Sequence, residues 1–377
     1  MKKVGILIPN FYGGAEKLEV RLAIELSKLG YQVTLLPQYS ENKLTHTNFD
    51  KKVFTKHNIS IFRLCSDKKI SLIFNLFTAR KFKFDFLISP NIATHILSSF
   101  ISMFTSSIDI KALHGYFYPS HTKSIIGKIW KWSIFSADFT YHVSNFCHKI
   151  NVATFALSLK KSCVIKNAID PHKTNKNINL KDLGLPENKK IILTVGNLSK
   201  AKGYENNLRI AQPILLNTDD TIYVIAGGRG LNSKIGLGYK DVFKNISLLV
   251  KELKIENKVY FIGHNNNIPE LMKESKVYLH FANRESFGLV LLEAIREGLP
   301  VVTSNIGGIP EVLNGTEYSC FDLKDLKKAT TEVYKYLDTN KDDLKDYSEY
   351  FSKFTHEKRA LSVSSLLKKI VKKKDIH

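Results

Sequence analysis

Cysteine is scarce in this chain: four in 377 residues, at 65, 147, 163 and 320, with no C-x-x-C pair among them. That scatter excludes a disulfide framework and a cysteine-built metal site, and it predicts reduced thiols in a cytoplasmic protein. There is no H-E-x-x-H, and no D-x-D of the kind that holds a divalent cation, so no metal site is expected. No uninterrupted apolar run reaches about 18 residues, the length needed to cross a bilayer. The opening Met1-Lys2-Lys3-Val-Gly-Ile-Leu-Ile-Pro9 is too short in apolar residues for a secretory signal and reads as a first strand. Acid is the other shortage. Asp and Glu number 35 against 56 Lys and Arg, a formal net charge of +21. Residues 1–170 hold 23 basic and 10 acidic residues, and the remainder 33 and 25. Residues 352–377 carry eight basic and two acidic residues, which is most of the second excess. Such a balance implies attraction to something acidic: nucleic acid, an anionic membrane or a phosphorylated substrate. The lysines are dispersed and no recognised nucleic-acid module occurs, which argues against the first.

What the chain has in quantity is apolar residue, 44 per cent, enough for two sizeable cores over 377 residues. Short apolar or β-branched runs alternate with amphipathic stretches such as Glu16 to Leu29. The first series is Val4–Pro9, Gln32–Pro37, Phe84–Pro90, Lys111–His114, Thr140–Ser144 and Cys163–Asn167. The second is Ile191–Gly196, Thr221–Gly227, Val259–Gly263, Val277–Phe281 and Val301–Ser304. This alternation predicts parallel sheets with crossover helices, and two series predict two doubly wound α/β domains. The polar stretch Asp170 to Lys190 joins them. A last amphipathic helix is expected over 350–377, with Phe351, Phe354, Leu361, Val363, Leu366, Leu367 and Ile370 on its apolar face. Ligands of such sheets bind beyond the carboxyl ends of the strands, so the cleft between the domains is the expected site.

The most informative segment is Glu285-Ser-Phe-Gly-Leu-Val-Leu-Leu-Glu293. A buried strand ending near Phe281 leads into a loop, and a helix starts near Gly288. A strand, a glycine turn and a helix N-terminus make an anion site, because free backbone N–H groups face the ligand. Two carboxylates nearby suit hydroxyl groups better than phosphates. Together they point to a ligand with both, a nucleotide sugar. Gly13-Gly14, after the first strand, repeats the close backbone approach but is not a G-x-G-x-x-G dinucleotide fingerprint.

The string Glu285 to Glu293, continued by Ala-Ile-Arg-Glu-Gly-Leu-Pro-Val-Val and Gly307-Gly308-Ile-Pro-Glu311, resembles the E-x7-E signature of family 4 retaining glycosyltransferases. Gly13-Gly14-Ala15-Glu16-Lys17, His114, Asn167-Ala168-Ile169-Asp170, Gly196-Asn197-Leu198, Lys202-Gly203 and Gly263-His264 follow in the family's order. The resemblance spans nearly the whole chain and fades between about 40 and 110. It implies the GT-B fold, with residues 1–168 plus a crossover helix of about 354–377 as the acceptor-side domain, and 169–353 as the nucleotide-sugar domain. It also implies roles for individual residues. Lys202 would stabilise the leaving diphosphate together with the amides of Phe287, Gly288 and Leu289. Glu293 would hold the ribose, Glu285 the transferred sugar, and His114 the donor sugar and reaction centre. Gly13 and Gly14 would lie against the diphosphate, and the loop from Gly263 to Ile268 would read the base. Asn197 stands where relatives usually have Arg, so charge is missing there; Lys200 is a candidate to replace it. Gly307, Gly308 and Glu311 read as a turn and helix start.

The resulting expectation is a cytoplasmic, metal-independent and cofactor-free retaining glycosyltransferase. It would move a sugar from a nucleotide diphosphate to a hydroxyl, with a lipid-linked glycan of surface polysaccharide synthesis as acceptor. The rivals are a nucleotide-sugar epimerase or hydrolase, a nucleic-acid-binding protein, and an inactive scaffold. Two basic, aromatic-rich stretches, Lys68–Lys83 and Lys123–Phe135, predict docking on an anionic membrane at the inner face of the cell membrane, with Trp130 and Trp132 in the headgroup zone.

Overall fold

The computed structural model describes residues 1–9, 14–37, 51–62, 82–170, 173–228, 237–340 and 343–374. Two compact units emerge: residues 1–168 with 354–377, and residues 169–353.

Among the described residues, the first unit is built on a seven-stranded parallel sheet. Its strands are β1 (Lys3–Ile8), β2 (Gln32–Pro37), β3 (Ser60–Ile61), β4 (Phe86–Ser89), β5 (Ile108–Leu113), β6 (Phe139–His142) and β7 (Ser162–Val164), in the order β3-β2-β1-β4-β5-β6-β7. Val4, Ile6, Val33, Leu35, Ile88 and Ile110 face helix Gly14–Lys28 and the C-terminal helix His356–Lys374 in one core, which Val20, Leu22, Ala360, Val363 and Leu367 complete. Continuous apolar runs are what a sheet buried on both faces requires.

The apolar pattern alone places β5 at Lys111, three residues late. Asp109 masks the start, because charge in a strand argues against burial; Lys111, its partner, is charged too. Here both are buried as a pair, 2.6 Å apart. Lys111 also donates to Ser98, Ser99 and the His95 carbonyl. Burial, opposed by Asp109, pushes the Lys111 ammonium down to about 8.

Among the described residues, the second unit is built on a six-stranded parallel sheet: β8 (Lys190–Val195), β9 (Thr221–Ala226), β10 (Val259–Gly263), β11 (Val277–His280), β12 (Val301–Ser304) and β13 (Cys320–Phe321), in the order β10-β9-β8-β11-β12-β13. The polar joining stretch is tied down at its start. Buried Arg296 donates to the Asp170 carbonyl at 2.8 Å and pairs with Glu297 at 2.7 Å, which accepts from Thr174 N–H.

The last helix is shorter than expected. The 350–377 pattern divides into helix Ser348–Phe351, a tight turn Ser352–Phe354, and helix His356–Lys374. Phe351 therefore belongs to the second unit and Phe354 to the first. The spacing could not show this, since both rings are buried in either case.

Candidate functional site

In the second unit, β8 and β11 are parallel neighbours, so their carboxyl ends lie side by side. The chain leaves β8 through Gly196 and Asn197 into a short turn, Lys200–Lys202, before helix Tyr204–Asn217. It leaves β11 into the loop that carries Glu285. These two segments are clipped together by backbone. Asn283 and Arg284 N–H both donate to the Ala201 carbonyl, at 2.9 and 3.0 Å, and the Asn283 amide donates to the Lys200 carbonyl. Gly203, at φ +61°, makes this possible, because a Cβ there would overlap the Phe281 carbonyl. Gly307 and Gly308 do the same for the other side of the loop. Their Cβ atoms would strike the carbonyls of Glu285 and Ser286, and Gly308 N–H donates to Glu285 O. The double glycine, read from sequence as a plain turn, is thus the seat on which the Glu285 loop rests.

The clip brings Lys202 to Glu285. Lys202 Nζ lies 2.8 Å from Glu285 Oε2, and His280 Nε2 lies 3.2 Å from the same oxygen. Ser286 N–H holds Oε1 at 3.0 Å. Burial alone would raise the Glu285 carboxyl. The hydrogen bond from His280 and the charge of Lys202 outweigh it and hold Glu285 well below the usual carboxylate range. Burial pushes His280 the other way, toward the neutral form. A neutral His280 donates Nε2–H to the carboxylate; its Nδ1 is buried with no partner among the described residues.

Sequence reasoning missed His280. Its one signal was position, at the carboxyl end of a buried strand five residues before Glu285. Gly288, at φ +100°, caps helix Leu289–Arg296, and its carbonyl accepts from Leu291 N–H and Leu292 N–H, so the amides of Leu289 and Val290 are the ones at the open end of the helix. Leu289 and Glu293 are half-buried. Burial raises the Tyr278 hydroxyl, and Tyr204, Glu285 and Glu293 add to that rise. Gly263 ends β10 at φ +66°, and Ile268 opens helix Ile268–Glu274. Phe287 is buried at 2% exposure, so its ring belongs to the core. Asn197 and Lys200 are exposed.

In the first unit His114 follows β5, with Nε2 3.0 Å from Glu19 Oε1. Gly14 begins helix Gly14–Lys28. Gly13 lies outside the described residues, as does Lys68 to Lys81 of the first basic stretch.

Residues 175–354, most of the second unit, match the model of the family described as glycosyl transferases group 1. This chain carries a group 1 glycosyl transferase domain. A region of 142 residues is 34% identical to the N-acetyl-alpha-D-glucosaminyl L-malate synthase of Bacillus anthracis, covering 37% of this chain and 34% of that one. A region of 210 residues is 27% identical to the Escherichia coli UDP-Gal:alpha-D-GlcNAc-diphosphoundecaprenol alpha-1,3-galactosyltransferase, covering 53% and 52%. The chain thus matches about a third to a half of these relatives' length. An Anabaena protein, Alr3699/HepE, crystallised in complex with UDP, superposes with a TM-score of 0.77 at 17% identity, over 98% of this chain and 100% of that one. At that identity the likeness speaks to fold alone, and the fold is GT-B. The glycosyl transferase domain contains Lys202, His280, Glu285 and Glu293 together.

Proposed function

We propose that this chain is a retaining glycosyltransferase that moves a sugar from a nucleotide diphosphate to a hydroxyl acceptor. The observation that carries the reading is the Lys202–Glu285–His280 cluster beside the N-terminus of helix Leu289–Arg296. Transfer requires a stabilised diphosphate leaving group, and a cation beside helix amides can supply that. Glu285 is kept ionised and aimed by His280 and Ser286, so it only accepts, which suits sugar hydroxyls. Glu293, one helical face further along, is assigned to the ribose, and the loop Gly263 to Ile268 to the base. The UDP held by the Anabaena protein and the UDP-galactose named for the E. coli relative support a uridine donor.

A thermal-shift panel of nucleoside diphosphates and their sugars tests this. A ligand of the native state raises stability by about 2.7 kcal/mol at 100 times its dissociation constant. Stabilisation by one nucleoside diphosphate and its sugar, with turnover that persists in EDTA, is the expected result. No response to any of them, or a strict requirement for Mg²⁺ in the chemical step, would overturn it. Turnover of donor without an acceptor would favour an epimerase or hydrolase.

The acceptor is assigned as a lipid-linked glycan, and the chain as peripheral on an anionic bilayer. Helix Ile125–Phe135 supports this. Ile125 at 76% exposure, Ile126, Ile129, Trp132 and Phe135 are exposed, as are Met103 and Phe104 at the end of the neighbouring helix Ile92–Thr105. Exposed Lys123, Lys128 and Lys131 lie among them. Between 86 and 169 there are eight lysines and two acids, Asp109 buried and Asp138 bonded to backbone. An apolar face with unopposed cations fits an anionic lipid surface. Trp130 is not part of it. Its ring is 2% exposed and its indole donates to buried His95, so Trp130 anchors the helix to the core. At about 1 kcal/mol per basic residue, changing Lys123, Lys128 and Lys131 to Gln is expected to weaken partitioning to anionic liposomes by about 100-fold. Sedimentation that is blind to lipid charge would remove the claim.

A further inference from the structure

Three residues far apart in the chain meet at Glu19. Its Oε1 lies 2.5 Å from Arg359 Nη2 and 3.0 Å from His114 Nε2, with the Tyr141 hydroxyl at 3.5 Å. Arg359 also donates to the Leu18 carbonyl. Glu19, Tyr141 and Arg359 are buried, and His114, with an 11% exposed side chain, is the member of the set that reaches the surface. An ion pair that merely fastened the C-terminal helix to helix Gly14–Lys28 would need only Glu19 and Arg359. The third partner calls for its own account.

A carboxylate paired with Arg only accepts hydrogen bonds. The His114 nitrogen that faces it therefore carries the proton, and in the neutral ring Nδ1 keeps its lone pair. We infer that Glu19 is a positioning residue, held as a carboxylate by Arg359, that fixes His114 as the Nε2–H tautomer so that Nδ1 accepts a hydrogen bond from a substrate hydroxyl. The C-terminal helix, through Arg359, thereby sets the state of a side chain that meets substrate. The inference rests on the reading of His114 as a residue that contacts the sugar substrate. Burial of Glu19 opposes ionisation, yet Arg359 and His114 hold it down to about 2, in keeping with this arrangement.

The test is the ¹⁵N chemical shift of the His114 ring in the full chain, at a pH where the ring is neutral. The native protein is expected to show the Nε2–H tautomer. Glu19→Gln, whose amide both donates and accepts, is expected to give a mixture of tautomers. Its turnover should fall by about 10-fold or more, as expected when a reacting group loses its orientation. Binding of bare UDP, which lacks the sugar, should change little. Because Glu19→Gln leaves Arg359 buried and unpaired, Glu19→Gln/Arg359→Met is made in parallel and should show the same mixture. An Nδ1–H tautomer in the native protein, unchanged tautomers in both variants, or altered tautomers with full turnover would overturn the inference. Failure of the native protein to bind any nucleoside diphosphate would instead refute the proposed function, and the tautomer would still report on Glu19.

Discussion

Lys202→Ala is expected to lower turnover by about 10²-fold or more, the loss seen when one preorganised charge-stabilising donor is removed. Binding of the bare nucleoside diphosphate should weaken with it. Glu285→Gln should also abolish transfer, yet its effect on that binding should have the opposite sign. In the free protein Glu285 Oε2 lies 2.8 Å from Lys202 Nζ and neutralises it. A diphosphate must compete with that carboxylate for the cation. Removing the negative charge frees Lys202, so the nucleoside diphosphate should bind equally or more tightly. Gln is the better probe than Ala, because it can still engage His280 and Ser286. Calorimetric titration of both variants separates the roles. Equal loss of binding in the two would show that Glu285 holds the nucleotide and not the sugar.

Arg359→Ala is expected to destabilise the first unit by about 3–5 kcal/mol, since it leaves the buried Glu19 carboxylate without its cation. For a unit of this size that is a fall in Tm of roughly 10 °C. Glu19→Gln/Arg359→Met should lose much less, because no charge is stranded. Equal losses would mean that packing of the Arg359 stem, and not charge, holds the helix. The same pair sets an acid limit. The Glu19 carboxyl is lowered from 4.5 to about 2: burial raises it, and Arg359 and His114 more than reverse that. A depressed carboxyl contributes stability that is complete above the unfolded value and lost as pH falls through the folded one. The contribution, about 3 kcal/mol, should therefore disappear between about pH 4.5 and pH 2. Acid unfolding of the double variant should lack that limb.

Several misreadings have one cause. The start of β5 was hidden because Asp109 looks like a surface residue until Lys111 is seen to satisfy it. Trp130 looked like part of an interfacial belt because it stands in a run that mixes Lys with large apolar residues, and its neighbours Ile129, Lys131 and Trp132 are indeed exposed. One position on a helix turns a side chain by about 100°, enough to carry it from solvent to core. His280 carried no motif of its own, and its partner Glu285 gives it meaning only in the folded loop.

Local order was legible from the chain itself. Apolar runs marked the strands of both sheets except the two-residue edge strands β3 and β13, a glycine before an amphipathic stretch marked the start of helix Leu289–Arg296, and the contiguous string from Glu285 to Glu311 pointed to the candidate site. These are properties of neighbouring residues, and sequence records neighbours. Tertiary structure decided which charges meet. Lys202 and Glu285 are 83 positions apart, and Glu19 lies 95 from His114 and 340 from Arg359. Nothing in the spacing of such residues pairs them. Their pairing follows from strand order, which sets β8 against β11, and from the return of the last helix to the first, which brings Arg359 to a carboxylate that would otherwise be too costly to bury.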